Sequence, residues 1–368
     1  MTSRPGAPGN REIYIDAFRG LMALVMVQGH VCDLLLSPAV RATPLYQFQM
    51  LFHGSTAPGF LFASGFVAGL PRAPLSTRAA IRRGRRLLFV LATGYWLHLP
   101  YFSFWKTLTA GPREQAAFLA CHALQLIAVT QLLVLVLQAL FGRAWTALAG
   151  VLAATVVAGG PALWASQVSA RLPAALAPFL DERTGSTFPV FPYAAFVLAG
   201  TVAGFAVGRQ PEATRRRRAV TAGLLLVALG MLTARLTAAG LDFWKISPGY
   251  VLLRLGGLLL LLRLSDAAAA RSWPGVRALA LLGRETLLVY VGHLLILFGG
   301  VFGASPLLAL SGRLGFLGAL ALLALLLPVL FALAWAWNRA KASAPRDAQL
   351  VLAFGASWFL FAFLARPW

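Results

Sequence analysis

The chain contains few charged residues. Asp, Glu, Lys and Arg together make up 12% of its 368 residues, whereas about a quarter is usual for a soluble domain. Residues of the set AVILMFWYC make up 59%. This composition excludes a soluble globular domain, which needs a charged surface, and an intrinsically disordered chain, which cannot be this apolar.

Cysteine is also scarce. The two cysteines, Cys32 and Cys121, are too few for a disulfide-stapled secreted module, and we expect both to be buried free thiols. No C-x-x-C or H-E-x-x-H spacing occurs, so the sequence predicts no metal site.

Long apolar runs, in contrast, recur along the whole chain. A run of about 20 apolar residues crosses a hydrocarbon core of about 30 Å. The runs predict an all-α, polytopic integral membrane bundle of about 11 (10–11) transmembrane helices, with residues 1–12 as a cytoplasmic tail and residues 13–365 as a single transmembrane domain. The predicted spans are 13–36, 47–70, 87–104, 115–140, 144–160, 188–208, 219–238, 248–264, 279–301, 316–338 and 349–365.

Basic residues indicate the orientation of these spans. The formal net charge is +21. With a cytoplasmic N-terminus, the inner segments carry 20 Lys and Arg, counting Arg263 at the membrane edge, and the outer segments carry eight, as expected because positive loops resist translocation. We interpret the basic runs at 82–86 and 215–218 as cytoplasmic topology signals that contact anionic lipid headgroups, rather than as nucleic-acid sites.

All five histidines fall in the outer half of this predicted topology. Ionisable residues are costly in hydrocarbon and therefore mark functional cavities. The clustering predicts a polar site toward the outer face, formed from some or all of His30, His53, His98, His122 and His293.

The first span carries the sharpest pattern. Eleven helical steps of about 100° separate Arg19 from His30, so both residues face the same side, about 16 Å apart along the axis. Asp16 shares this face, and Asp33 lies one turn beyond His30, close enough to orient its imidazole. The alternative is a purely structural stripe, in which Asp16 and Arg19 form a buried ion pair.

Four segments also resemble a known family. The Arg11–His30 segment, with its Arg-x10-His element, is similar to the opening of the transmembrane acyltransferase superfamily, which includes heparan-alpha-glucosaminide N-acetyltransferase-like proteins and acyltransferase-three O-acyltransferases. The segments 52–65, 188–204 and 282–293 resemble later elements of these proteins. The resemblance implies acyl transfer from cytoplasmic acyl-CoA, here acetyl-CoA, to an acceptor at the outer face.

Acyl transfer from a thioester needs a base, an oxyanion donor and cations for the phosphates of the coenzyme. His30 with Asp33 can supply the base, and His53 or free N–H groups of the irregular 53–59 stretch can stabilise the oxyanion. The candidate catalytic residues are His30, Asp33, His53 and His293. The candidate cofactor-binding residues are Arg19, Asp16, Arg82, Arg83 and Arg86.

Three further polar residues are candidates for binding the acceptor. His122 and Gln125 lie one turn apart and either line the cavity or satisfy each other. Arg254 lies within a span and needs a partner, which is either an acidic substrate group or a structural ion pair. His98 lies among aromatic residues and is expected to belong to an interfacial aromatic belt.

These observations predict a membrane-bound acyltransferase, in the bilayer of a bacterial cytoplasmic membrane, that acetylates an amine or hydroxyl of a sugar or envelope glycan. No nucleic-acid partner and no metal are expected. The alternative is a multi-span transporter with an intramembrane His/Asp/Arg relay. A non-catalytic scaffold is disfavoured by the ionisable stripe of the first span.

Overall fold

The computed structural model describes residues 13–70, 75–208, 212–236, 242–300 and 303–366. The predicted cytoplasmic tail, residues 1–12, lies outside the described residues. The described part is almost entirely helical, with five short 3-10 turns and one pair of two-residue strands, β1 (Gly299–Gly300) and β2 (Gly303–Ala304). The helices are α1 (Ile13–Leu35), α2 (Pro38–Arg41), α3 (Pro44–His53), α4 (Thr56–Gly69), α5 (Thr77–Trp96), α6 (Phe104–Leu108), α7 (Pro112–Leu119), α8 (Ala123–Leu140), α9 (Trp145–Ser166), α10 (Val190–Val207), α11 (Glu212–Leu236), α12 (Pro248–Ala270), α13 (Val276–Arg284), α14 (Thr286–Phe298), α15 (Phe316–Ser343) and α16 (Pro345–Ala365).

Within the described ranges, seven helices are long and apolar enough to cross a membrane, and an eighth crossing results if the bent pair α13–α14 counts as one. This confirms an all-α, polytopic membrane protein. The seven helices are α1, α8, α9, α10, α11, α15 and α16, and each overlaps one of the predicted spans. The total of about eleven crossings and the cytoplasmic N-terminus stay predictions.

Four predicted spans are interrupted. In the span 87–104, helix α5 ends at Trp96, and the span 115–140 is divided into α7 and α8. The span 47–70 is divided into α3 and α4 by a break at Gly54–Ser55. The span 279–301 contains α13 and α14, which meet at Glu285 with a bend of 80°. Broken helices at membrane depth are tolerated where they line a cavity or are buried in protein.

The described residues divide into two compact units. The first contains residues 13–56, 261–299 and 303–354, and the second contains the described residues between 57 and 260 together with Gly300 and residues 355–366. The extent of a single catalytic domain over residues 13–365 stays a prediction.

Helix α1 is the central element of the first unit and packs against α3, α13, α14 and α15. Its contact with α13 depends on small residues: a methyl group at Gly20 would overlap the Leu279 carbonyl oxygen, and one at Gly283 would overlap the Asp16 carbonyl oxygen. Glycine at such contacts allows helix backbones to approach closely, as is common in membrane bundles.

The C-terminal end of α1 is capped by the segment before α15. The carbonyl oxygens of Leu34 and Leu35 accept hydrogen bonds from the backbone N–H groups of Gly312 (2.9 Å) and Leu314 (2.8 Å). Carbonyls at a helix end have no partner within the helix, so these bonds fix the end of α1 that carries His30 and Asp33.

The second unit is built around α8, α9 and α10, which enclose a core of Val134, Leu137, Ala149 and Leu198. Helix α10 also lies against α4, where a methyl group at Gly204 would overlap the Phe66 carbonyl oxygen. The start of α8, which carries His122 and Gln125, and the segment before α10 belong to this unit.

Candidate active site

Two of the predicted catalytic histidines contact each other directly in the first unit. His30 lies on α1 and His293 on α14, and the Nδ1 of His30 is 2.7 Å from the Nε2 of His293. Their rings are stacked, with centroids 5.0 Å apart. His293 is completely buried. Since 263 positions separate the two residues, only the folded chain joins them.

The backbone determines which nitrogen of each ring carries the proton. The Nδ1 of His293 is 2.8 Å from the Val289 carbonyl oxygen, and because a carbonyl oxygen only accepts, this Nδ1 carries a hydrogen. In the neutral ring, the Nε2 of His293 is then an acceptor, and the Nδ1–H of His30 donates to it. The Nε2 of His30 therefore keeps a free lone pair. Among the described residues this nitrogen has no hydrogen-bond partner, and it is not fully buried.

The expected contact between Asp33 and His30 is not the arrangement in the structure. The Asp33 carboxylate accepts a hydrogen bond from the Tyr46 hydroxyl at 2.8 Å, and its other oxygen lies 3.3 Å from the Nε2 of His53. Three helical steps of about 100° turn Asp33 away from His30 by about 60°, and α3 packs on that side of α1. Asp33 thus orients His53, whereas His293 is the hydrogen-bonded partner of His30.

Tyr46 stabilises this arrangement as a permanent donor. Burial and the hydrogen bond to Asp33 raise the pKa of Tyr46 to about 12. The hydroxyl therefore stays protonated throughout the physiological pH range, and Asp33 keeps one oxygen occupied by Tyr46 and the other directed at His53.

His53 has no accessible lone pair in this geometry. Its Nε2 faces Asp33, and its Nδ1 is buried without a hydrogen-bond partner. The ring packs directly on the backbone of Gly29, where a side chain would overlap it, and its centroid lies 5.6 Å from that of His30 in an edge-to-face arrangement. His53 therefore contacts His30 but, unlike it, offers no free nitrogen to a substrate.

At the break after His53, two of the expected donors are not free. The N–H groups of Gly54 and Ser55 donate to the carbonyl oxygens of Met50 (2.8 Å) and Phe52 (2.9 Å). Both bonds continue the turn that ends α3, so neither N–H is available to an oxyanion.

The contact between Gly29 and His53 predicts an effect on stability. Gly29→Ala is expected to displace the His53 ring and to separate it from Asp33, at a cost of about 1–3 kcal/mol for overpacking. Gly292→Ala is the matched control, because the new methyl group would lie 3.5 Å from Leu330, an ordinary contact. Thermal unfolding in detergent should show a lower midpoint for Gly29→Ala only. Equal midpoints would mean that the ring can move away at no cost.

A second cluster, of charged residues, lies about eleven residues before His30 on α1. Asp16 is buried, 3.8 Å from the Nη1 of Arg19 and 3.2 Å from the Nε of Arg284. The ion pair between Asp16 and Arg19 that was the structural alternative is therefore present, and it has a second cation.

The residue after Arg284 is part of the same cluster. The buried Glu285 carboxylate accepts hydrogen bonds from the Nδ2 of Asn338 (2.8 Å) and from the Nζ of Lys341 (2.7 Å) on α15. The polar break between α13 and α14 is thus fixed on one side to α1 and on the other side to α15.

The other predicted cofactor-binding residues, on α5, belong to the second unit. Arg83 donates to the Gln138 side chain on α8 at 3.1 Å, and Arg82 and Arg86 are exposed. This helix end therefore presents cations outward, which suits either lipid headgroups or a phosphorylated ligand.

His122 and Gln125 also lie in the second unit, but they do not satisfy each other. The ring of His122 stacks on that of His98, with centroids 3.8 Å apart, and its Nδ1 is 3.1 Å from the Thr187 hydroxyl. Gln125 is completely buried, and neither atom of its amide has a hydrogen-bond partner. His98 is thus part of a histidine pair rather than only of an aromatic belt.

Arg254 contacts aromatic rings in the second unit. Its guanidinium lies 5.5 Å from the Trp244 ring centroid and 5.7 Å from that of Tyr250, within the range of cation–π attraction. Tyr250 is in turn 6.5 Å from Tyr193. A cation beside aromatic faces can bind an acidic sugar, and it is also a stable structural arrangement.

Sequence reasoning missed Tyr46, Arg284, Glu285, Asn338 and Lys341. Tyr46 lies between two predicted spans without a motif. The pair Arg284–Glu285 offered a signal, because two adjacent charges in an apolar run need partners, but the identity of those partners depends on α15. Cys32 and Cys121 are free and buried, as predicted.

The structure is an all-α membrane bundle in which a histidine of the central helix α1 pairs with a histidine of α14, and a buried carboxylate of α1 forms ion pairs. These features define a polytopic membrane protein with an internal polar site. A family model described as heparan-alpha-glucosaminide N-acetyltransferase, catalytic, matches residues 11–237. The chain belongs to this family, and membership indicates a membrane acetyltransferase. A search of curated proteins finds no match. The match includes His30, Asp33 and His53, whereas Arg254, Arg284 and His293 follow it.

Proposed function

We propose that the protein transfers an acetyl group from acetyl-CoA, bound from the cytoplasmic side, to an amine or hydroxyl of a sugar or envelope glycan at the outer face of a bacterial cytoplasmic membrane. The family membership supports acetyl transfer. The observation that carries the catalytic assignment is the free, accessible Nε2 of His30, held in its tautomer by His293.

His30 acts as the general base. Its Nε2 takes the proton from the acceptor nitrogen or oxygen as that atom attacks the thioester carbonyl carbon. The new C–N or C–O bond forms, the C–S bond breaks, and the proton passes from His30 to the departing coenzyme A thiolate. His293 stabilises the transient His30 imidazolium by accepting its Nδ1–H, while Asp33 and His53 maintain the position of the His30 ring.

We assign the donor-binding and acceptor-binding residues from the positions of the charged groups and aromatic rings. In the first unit, Asp16 and Arg19 are the proposed donor-binding residues. In the second unit, Arg82, Arg83 and Arg86 are further candidates for contact with the donor. His122, Gln125 and Arg254 bind the acceptor, with Trp244 and Tyr250 offering flat faces to a sugar ring. The distribution of basic residues supports a cytoplasmic N-terminus, which places the charged end of α1 inside and His30 toward the outside.

The test uses purified full-length protein in detergent. We expect saturable binding of acetyl-CoA and release of free coenzyme A thiol that increases when an amino sugar such as glucosamine is added. A chain that neither binds acetyl-CoA nor releases the thiol would contradict the proposal. Proton-coupled uptake of glucosamine into proteoliposomes without thiol release would favour the transporter alternative.

A further inference from the structure

The charged cluster of the first unit combines buried carboxylates with cations from three helices. Among the described residues, Asp16 and Glu285 contact three cations, Arg19, Arg284 and Lys341. Asp16 alone has two arginines, although one would neutralise it.

The burial of the members shows which ends of the cluster are accessible. The carboxylate side chains of Asp16 and Glu285 are 3% and 4% exposed. The side chains of the cations are more exposed, at 23% for Arg19, 36% for Arg284 and 43% for Lys341. The carboxylates therefore contact the cations from the protein interior, while part of each cation side chain stays exposed.

The break between α13 and α14 brings these cations together. Arg284 is the last residue of α13 and contacts α1, while the adjacent Glu285 holds Lys341 of α15. Cations of α1, α13 and α15 thus lie around one short stretch of chain, Arg284 and Glu285, at the 80° bend. On α1 this place is eleven residues, about 16 Å, from His30.

We propose that Arg284 and Lys341, together with Arg19, bind the phosphate groups of the acyl donor. This inference rests on the proposed function. Arginine forms bidentate, charge-assisted hydrogen bonds to phosphate, and lysine contributes a point charge. The separation from His30 allows the phosphates to be bound at one end of α1 while an extended carrier arm brings the thioester to the other end.

The experiment compares two donors that differ in their phosphates. Equilibrium binding of acetyl-CoA and of acetyl-pantetheine, which has no phosphate, is measured with the purified full-length chain. Arg284→Gln and Lys341→Gln are each expected to weaken acetyl-CoA binding about tenfold or more and to leave acetyl-pantetheine binding unchanged. Lys341→Arg should restore much of the affinity, because it keeps the charge.

Arg339→Gln is the matched control. It removes a cation two residues from Lys341 whose guanidinium lies over the Trp335 ring, outside the cluster, and it should leave both affinities unchanged. Variants that bind acetyl-CoA as tightly as the wild type would overturn the inference alone. Variants that lose both donors equally would overturn it as well, in favour of a structural role. A wild-type chain that binds neither donor would reject the proposed function together with this inference.

Discussion

Replacing His30 with alanine is expected to lower acetyl transfer by about 10²- to 10⁴-fold, the usual contribution of a general base. Within the described residues, His30 alone among the three histidines of the first unit has a nitrogen that has no hydrogen-bond partner and is not fully buried. Binding of acetyl-CoA should stay nearly unchanged, because the proposed phosphate site lies about 16 Å away along α1. Initial rates of coenzyme A release and equilibrium binding of the donor measure the two effects separately.

His53→Ala is the comparison variant. Its loss of rate should be smaller, because the Nδ1 of His53 is buried and its Nε2 is directed at Asp33. Asp33→Asn should resemble His53→Ala, since the carboxylate acts through His53. A folded His30→Ala protein that transfers acetyl at the wild-type rate would refute the assignment. If His53→Ala were inactive in the same assay, His53 would be the general base instead.

The position of the helices could be predicted from the sequence because apolar length alone determines it. Each of the seven helices suited to crossing a membrane overlaps a predicted span. The breaks were harder to locate. Glu285 ends a helix inside an apolar run because Asn338, 53 positions later, and Lys341 hold its carboxylate, and no local pattern encodes that contact.

The residues of the candidate site could be predicted from the sequence, but their partners could not. Helical periodicity places Arg19 and His30 on one face, and both lie on α1 in the structure. The partner of Asp33 could not be predicted, because a residue three positions from His30 can contact either His30 or a residue of a neighbouring helix. Asp33 contacts His53 because α3 packs on α1, and this packing is possible because Gly29 has no side chain.

Substitutions of His293 test the link between tautomer and rate. In His293→Leu the Nδ1–H of His30 loses its acceptor, so the ring can take the other tautomer, in which Nε2 carries the proton and cannot act as a base. A wrong tautomer costs about 10⁴-fold in the serine-protease triad, where the orienting group is a charged carboxylate. A neutral imidazole should contribute less, and we expect a loss of about 10²-fold in rate with unchanged affinity for acetyl-CoA.

His293→Gln separates this positioning role from simple packing. The amide oxygen of glutamine can accept the Nδ1–H of His30, so this variant should recover about tenfold of the rate lost in His293→Leu. Thermal unfolding of both variants serves as the control, because His293 is completely buried and either change alters its packing. If the two variants lose the same activity and unfold at the same lowered temperature, His293 contributes only to packing, and the orientation of His30 must come from His53 and Asp33.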